Sequence, residues 1–538
     1  MDASNEMSIE GFSIALAAIA AVVISGVLRT CFSAPTSRGA SLLQYLSFVM
    51  VGKSSLAIVA VVSSSYMIHI LRKRLKHLPP GPASYPIIGQ LLSAPLAVEH
   101  VGYQRLSQDL KSDIICLEFM GNTIVVLHSA QSASDLFEKC SSIYSDRTQS
   151  TMVAHEELTA FHARQVFHSR QLLSRLLKYD GQTISSEELG LELERLPAAS
   201  ILDATYGYEV TSSDDPFVKK VKQIDDNLIK SFLPTQFLVN VMPFLIHVPS
   251  WMPGTGWKQT AKEWRELKDS VVEEMYQWTR TQMAQGTAEP SIIRSIVESY
   301  ANKGQEIAGE DEDNVKHAGI SFFGAATDTS SGTLLAFVVA MLLYPETQRK
   351  AQDELDQVVG SQRLPEMSDL PRLPYLNNLL QELFRWQPVL PLGIPHTCSE
   401  DNSYRGYFIP KGAIVIGNAW AMSRDPNVYE NPDIFNPDRF LDPSVPPVPA
   451  FGWGRRKCPG VHYAESLLSI SIASILANFD ISCAKDGQGR DKAPSAGAST
   501  DTLFYRPEPF SCVITPRSER HRHLVSEIPT QGGFVHSL

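Results

Sequence analysis

The run Phe451-Gly452-Trp453-Gly454-Arg455-Arg456-Lys457-Cys458-Pro459-Gly460 sets one thiol among glycines, cations and aromatics. Such a thiol suits a metal-ligating thiolate, which must be deprotonated, shielded from water and approached closely by its ligand. Gly454 and Gly460 have no Cβ, so the backbone can fold tightly around the sulfur. Phe451 covers one side of it. Pro459 suits the first turn of a helix, which puts Cys458 at a helix N-terminus, where partial positive charge favours the thiolate. Arg456 is placed to pair with a carboxylate of the bound group, while Arg455 and Lys457 read equally well as solvated charges. The other six cysteines read as small buried hydrophobes.

Two further constellations must be positioned around that thiol. Residues 314 to 343 read as one helix stopped by Pro345, on the order of 45 Å long, with Ala325-Ala326-Thr327-Asp328-Thr329-Ser330 at its middle. A carboxylate beside a hydroxyl can relay protons into a reaction. The same pair is also satisfied by a Thr329 bond back to a helix carbonyl and a surface ion pair of Asp328. Glu382 and Arg385, at i and i+3, share a helical face, and Phe435-Asn436-Pro437-Asp438-Arg439-Phe440 follows.

Together these motifs resemble the cytochrome P450 superfamily of haem-thiolate monooxygenases, in particular its fungal, membrane-bound members, from about Pro79 to about Ser518. The resemblance implies a mainly α fold with a small β-rich lobe behind an N-terminal membrane anchor. It implies haem b with Cys458 as axial iron ligand, Arg456 and His396 at the propionates, and Phe451, Gly454 and Gly460 framing the sulfur. Thr329 would then hold dioxygen by hydrogen bonds, and Asp328 would gate proton entry. Glu382, Arg385 and Arg439 would lock the loop that presents the thiolate. Phe322, Phe323, Ala325, Ala326, Val389 and Leu392 would line an apolar substrate pocket, with Ala326 standing where the family often has glycine. The implied reaction inserts one atom of dioxygen into a terpenoid, polyketide, steroid or aromatic xenobiotic. Electrons would come from an NADPH-cytochrome P450 reductase, with cytochrome b5 as a second possible donor, at an endoplasmic reticulum membrane with the catalytic domain cytosolic.

Composition agrees with one large domain plus an anchor. The chain has 538 residues, is 43% hydrophobic and carries a net charge of −11, which disfavours nucleic acid as a partner. Seven cysteines without paired spacing argue against a disulfide framework and for a reducing compartment. Without a GxGxxG fingerprint after a strand, the chain is not expected to bind a nicotinamide cofactor itself.

The anchor region is residues 1–78, with candidate spans at 11–28 and 54–71; the second is followed by Arg72-Lys73-Arg74-Leu75-Lys76 and then the stiff Pro79-Pro80-Gly81-Pro82. The catalytic domain is expected over 79–518 and a loose polar tail over 519–538. Residues 113–118 and 123–128 form a hairpin, and Ser129 caps a helix through Lys139. The apolar segment from Phe232 to Pro253 corresponds to the roof of the substrate channel in the resembled family, where it either dips into the bilayer or packs in the ordinary way.

One stretch departs from the family. Between Arg147 and Phe161 its members carry a longer segment whose Trp and Arg reach the propionates, whereas here Glu156-Glu157-Leu158 runs straight into Thr159 and no tryptophan precedes Trp251. With an apparent deletion near 147–165, Arg164 and Arg170 are the candidate substitutes for the missing propionate partners. A mis-predicted exon is the favoured explanation. A real deletion supports the alternative of an inactive, truncated haem protein or apoprotein.

Overall fold

A computed structural model of the chain describes residues 77–85, 89–95, 98–119, 122–144, 161–210, 215–232, 236–241, 243–497 and 503–529. Both candidate membrane spans, and residues 145–160 of the apparent deletion, lie outside them.

The β-rich lobe follows the helix α1 (Glu99–Asp109). Strands β1 (Ile114–Phe119) and β2 (Asn122–Leu127) pair antiparallel as the sequence predicts, and both faces are buried, Ile114 and Cys116 in one apolar cluster and Ile115 and Leu117 in another. Ser129 then caps α2 (Ala130–Ser134) by accepting from the Ser132 N–H, and the chain continues through a π-helical turn, Asp135–Lys139. Strand β7 (Ile414–Gly417) joins β2 in parallel and β4 (His396–Thr397) in antiparallel fashion, giving the order β1-β2-β7-β4. A small hairpin, β5 (Asn402–Tyr404) with β6 (Tyr407–Ile409), lies between β4 and β7 in the chain.

The helical body is built on α3 (His162–Leu176), α4 (Ser186–Tyr206), α5 (Pro216–Phe232), α6 (Gly256–Gln285) and α7 (Ile292–Asn302) around α8 (Glu310–Leu343). The start of α8 lies four residues ahead of the expected one because Glu310, Asp311, Glu312 and Asp313 complement the helix dipole in its first turn. Pro345 ends it by opening α9 (Pro345–Val358). Its second half is buried on all sides, so although α8 is long and apolar enough to cross a membrane, it is the core helix of the fold. On α6, Val271 and Met275 are buried and Trp264, Leu267 and Trp278 half-buried, confirming a core-facing stripe.

Helices α10 (Pro374–Trp386) and α11 (Val461–Asn478) close the core. Strands β3 (Thr183–Ser185), β8 (Phe479–Cys483) and β9 (Ser511–Pro516) form a second sheet, ordered β3-β9-β8. The expected loose tail is corrected through residue 529. Ser518 caps α12 (Glu519–Ser526), and its Val525, with Ile528 beyond, is buried in the main core. His521, Val525 and Ile528 recur at four- and three-residue steps, a buried stripe hidden among charged neighbours.

Candidate active site

Cys458 stands between a 3-10 turn, Gly454–Arg456, and α11. Its N–H donates to Phe451 O at 2.7 Å, and inside that closure Arg456 and Lys457 donate their N–H groups to Trp453 O and Gly454 O at 3.1 and 3.2 Å. The run is thus tied into a loop with the thiol at its end. Burial pushes the thiol pKa up, and the Gly460 N–H, a hydrogen-bond donor to the sulfur, opposes that shift.

Helix α11 begins at Val461, with Gly460 as N-cap at φ −87° and ψ 12°, so Pro459 lies in the preceding turn. That corrects the expected placement of Pro459 in the first helical turn. Local support for a thiolate comes from a specific N–H, with the helix end beyond it. Gly454 has φ +53°, and a Cβ there would lie 2.5 Å from Phe137 O. Its need for glycine is therefore set by the backbone after α2 rather than by the sulfur. A Cβ on Gly460 would sit 3.9 Å from the Cys458 sulfur, an ordinary contact, so glycine there relieves no clash with the sulfur.

His396 opens β4 with its ring stacked on Phe137, centroids 4.1 Å apart, and its Nδ1 donates to Tyr144 O at 2.8 Å. A carbonyl partner requires the proton on Nδ1, so this ring can donate to a carboxylate only through Nε2, in its doubly protonated form. Phe137 also meets Trp453 at 5.4 Å, so His396 and the thiol loop share one aromatic support. Arg456 is half-buried, and Phe451 packs edge-on against Phe384 at 5.0 Å.

On α8, Ala325 is exposed and Phe322, Ala326 and Thr329 are half-buried, marking one flank that is partly open, with Phe322 and Ala326 also touching the edge of the cluster that buries Phe323. Phe323 does not belong to that flank. It is buried with Tyr206, Met275, Tyr276 and Ile320, because two residues along a helix from Ala325 turns it to the opposite side. Leu392 likewise turns toward the β-rich lobe and packs with the cluster of Leu117 and Ile416. Val389 abuts α8, since a Cβ at Gly332 would lie 2.9 Å from Val389 Cγ2, and its carbonyl accepts from the Tyr505 N–H at 2.7 Å.

Thr329 Oγ1 donates to Ala325 O at 2.7 Å, and Asp328 Oδ1 is paired with Arg506. The Thr329 bond matches the structural alternative that the sequence left open, whereas the Asp328 ion pair is part-buried rather than at the surface. The Thr329 hydroxyl keeps its lone pairs, and Asp328 keeps Oδ2. Burial pushes the Asp328 carboxyl above its ordinary range, against the pull of Arg506. Arg506 was missed in the sequence because no local spacing links residues 178 apart.

Glu382 and Arg385 are fully buried and form a bidentate pair, Arg385 Nε to Oε2 at 2.7 Å and Nη2 to Oε1 at 2.8 Å. Arg439 Nε reaches Oε1 at 3.0 Å, and the Asn436 N–H reaches it at 2.8 Å. Arg385 spends its remaining donors on Ser423, Pro432 and Ile434 carbonyls. The network is saturated, which is the condition for a buried ion pair to hold.

Arg164 is buried against Asp203, with Glu289 at 3.7 Å, and Arg170 faces Glu366 at 3.7 Å. Both arginines are thus engaged with carboxylates of the protein. The rest of the site fits haem: one thiol with an N–H to its sulfur, an arginine and a histidine on elements joined through Phe137, and a helix flank carrying small residues and a hydroxyl.

A helical domain carrying such a thiol loop and an acid-alcohol pair on its core helix defines a haem-thiolate class of protein. Comparison with known proteins agrees. The cytochrome P450 family model matches residues 168–506, beginning downstream of the apparent deletion. Cytochrome P450 monooxygenase 98 of Postia placenta is 37% identical over 505 aligned positions, covering 86% of this chain and 95% of its own length. A cytochrome P450 monooxygenase of Armillaria gallica is 34% identical, with 84% of this chain and 94% of its own length covered, and ple1 of Rhodocybe pseudopiperita is 33% identical, with 88% and 96% covered. The chain therefore belongs to the cytochrome P450 family, and its cofactor is the family's haem. The 505-position alignment is longer than the share of this chain it covers, so the Postia placenta relative has residues with no counterpart here.

Proposed function

We propose that this cytochrome P450 monooxygenase oxidises an apolar small molecule held against the α8 flank of Phe322, Ala325, Ala326 and Thr329, with Val389 as a second wall. Cys458 holds the haem, which supplies the family's oxygen-activating chemistry when bound. Arg456 and His396 hold its propionates. Asp328 accepts a proton on Oδ2 and passes it to a lone pair of the Thr329 hydroxyl, which releases its own proton from Ala325 O toward the reacting centre. Glu382, Arg385 and Arg439 fix the segment leading to the thiol loop. An NADPH-dependent reductase docks at the exposed cations Arg455 and Lys457 and supplies electrons.

We place the chain at a membrane, with a catalytic domain that starts near Pro79 and extends through α12. Trp251 and Ile246 are 81% and 57% exposed, and Lys258 and Lys262 lie just along the chain, a composition suited to a bilayer interface.

The observation that carries this reading is the closure of the thiol loop by Cys458 N–H on Phe451 O, with Gly460 N–H at the sulfur. The reduced full chain, expressed with haem precursor, should show a thiolate-ligated carbon monoxide difference band that Cys458→Ser abolishes. No band in the unaltered chain sinks the reading. One observation favours the second reading, a haem-poor inactive protein: Arg164 and Arg170 are both engaged with carboxylates. The same spectrum decides between them.

A further inference from the structure

Helix α5 carries a carboxyl that the site described so far does not use. Asp225 lies against α8 at Gly324, where an added Cβ would overlap Asp225 Oδ1. Gly324 is one helical turn before Asp328, so both carboxyls lie along the same flank of α8, beside the one that bears Ala325 and Thr329. Asp225 is half-buried and makes no hydrogen bond or ion pair among the described residues. The nearby cations are already taken: Lys222 pairs with Glu194 of α4 at 2.7 Å, and Arg506 pairs with Asp328.

An unpaired carboxyl in that position is kept neutral. Burial raises its pKa to about 8, reinforced by the charges of Asp328, Asp226 and Glu194. Asp226, next to it on α5, is exposed and joins this edge of the helix to water. At neutral pH the flank therefore holds a loaded acid, Asp225, behind a carboxyl held by arginine, Asp328.

We propose that Asp225 is the proton reservoir for the acid-alcohol pair: its carboxylic acid reprotonates Asp328 each time Asp328 gives up a proton through Thr329. The Asp225 O–H bond breaks as the Asp328 O–H bond forms, and the Asp225 carboxylate is reloaded from water at the Asp226 edge. Only protons move, and the reaction that consumes them is the oxygen reduction of the monooxygenase. Asp225 thus acts through Asp328 without touching the reacting atoms. The inference rests on the monooxygenase reading and adds the source of its protons.

Two measurements on the full chain in phospholipid nanodiscs test it, using Asp225→Asn, Asp225→Glu and Gly324→Ala. The first follows the infrared carbonyl band of protonated carboxyls with pH and needs no turnover. Among its protonated-carboxyl bands at neutral pH, the unaltered chain should have one that is lost near pH 8. Asp225→Asn should remove that band, Gly324→Ala should shift it by displacing the carboxyl, and Asp328→Asn should move its midpoint to lower pH. An unchanged band in Asp225→Asn overturns the proposal.

The second measures reductase-driven peroxide release. Asp225→Asn should increase the share of electrons lost as peroxide several-fold at neutral pH, the gap should close above pH 8, and Asp225→Glu should restore coupling. A pH-independent gap, or no gap, overturns the reservoir role. No gap without substrate together with weakened binding of amine-bearing ligands would identify Asp225 as a substrate anchor instead. Absence of a thiolate spectrum in the unaltered chain defeats the monooxygenase reading, while the infrared arm still decides the state of Asp225.

Discussion

Glu382 Oε1 accepts from Arg439 Nε at 3.0 Å and from Arg385 Nη2 at 2.8 Å, so a single buried oxygen joins α10 to the segment that leads to the thiol loop. Removing one partner leaves a charge in the core with nothing to neutralise it, at a cost of about 3–5 kcal/mol. Glu382→Gln should therefore lower the thermal midpoint strongly and reduce haem content in parallel. Arg439 is the milder case, since it stands at the edge of the network and also serves the Glu430 and Ile434 carbonyls. Calorimetry with haem quantification on both variants checks the order: Glu382→Gln should lose more than Arg439→Lys.

Gly454→Ala tests the loop itself. The position combines φ +53° with a Phe137 carbonyl 2.5 Å from where the methyl would stand. An L-residue in that region costs about 1–2 kcal/mol before any clash is counted. The loop should relax away from Phe137 and disturb Trp453 and His396, which rest on the same ring. The expected outcome is a reduced thiolate-type carbon monoxide band with part of the haem in another ligation state, while far-ultraviolet circular dichroism stays near that of the unaltered chain.

Those two sites show what the sequence could and could not disclose. The Glu382, Arg385 and Arg439 network and the thiol loop were legible because their residues lie in short motifs whose spacing constrains local geometry. Phe323 was misplaced because a list of apolar residues does not tell the two sides of a helix apart when both are apolar. Arg506 and Asp225 were invisible for a different reason: they meet α8 from elements far away in the chain, and neither belongs to a motif. The packed α12 was hidden by polar composition, although the His521, Val525, Ile528 spacing carried the signal.

Asp225 should leave a mark on stability that is separate from turnover. Its pKa is about 8 in the folded protein against 3.8 as the ordinary value, so between those limits the folded state holds a proton that the unfolded chain has lost. Stability then falls as pH rises from about 4 to about 8 and levels off beyond. Partial exposure screens the effect, so a fall on the order of 2 kcal/mol is expected rather than the full linkage value. Asp225→Asn should flatten this slope and be more stable than the unaltered chain at pH 8 but not at pH 5. Thermal midpoints across that range check it, and parallel slopes for the two proteins would rule it out.

Arg506 sets the opposing force on the neighbouring carboxyl. Burial raises the Asp328 pKa and Arg506 lowers it, so Arg506→Gln should let it rise further. Two effects then compete. A more basic carboxyl stays protonated to higher pH, but the lost ion pair frees the side chain to leave the Thr329 flank. Gln keeps a hydrogen-bond donor near Asp328 Oδ1 and Ser331 Oγ, both of which Arg506 contacts, so positional loss is limited and the pKa effect should dominate. The alkaline limb of coupled turnover should therefore move to higher pH in Arg506→Gln, whereas Arg506→Ala, which also loses the donor, should add a uniform rise in peroxide release. Peroxide and NADPH measured across pH separate the two, and an unshifted alkaline limb in Arg506→Gln would show that Asp328 does not control proton entry.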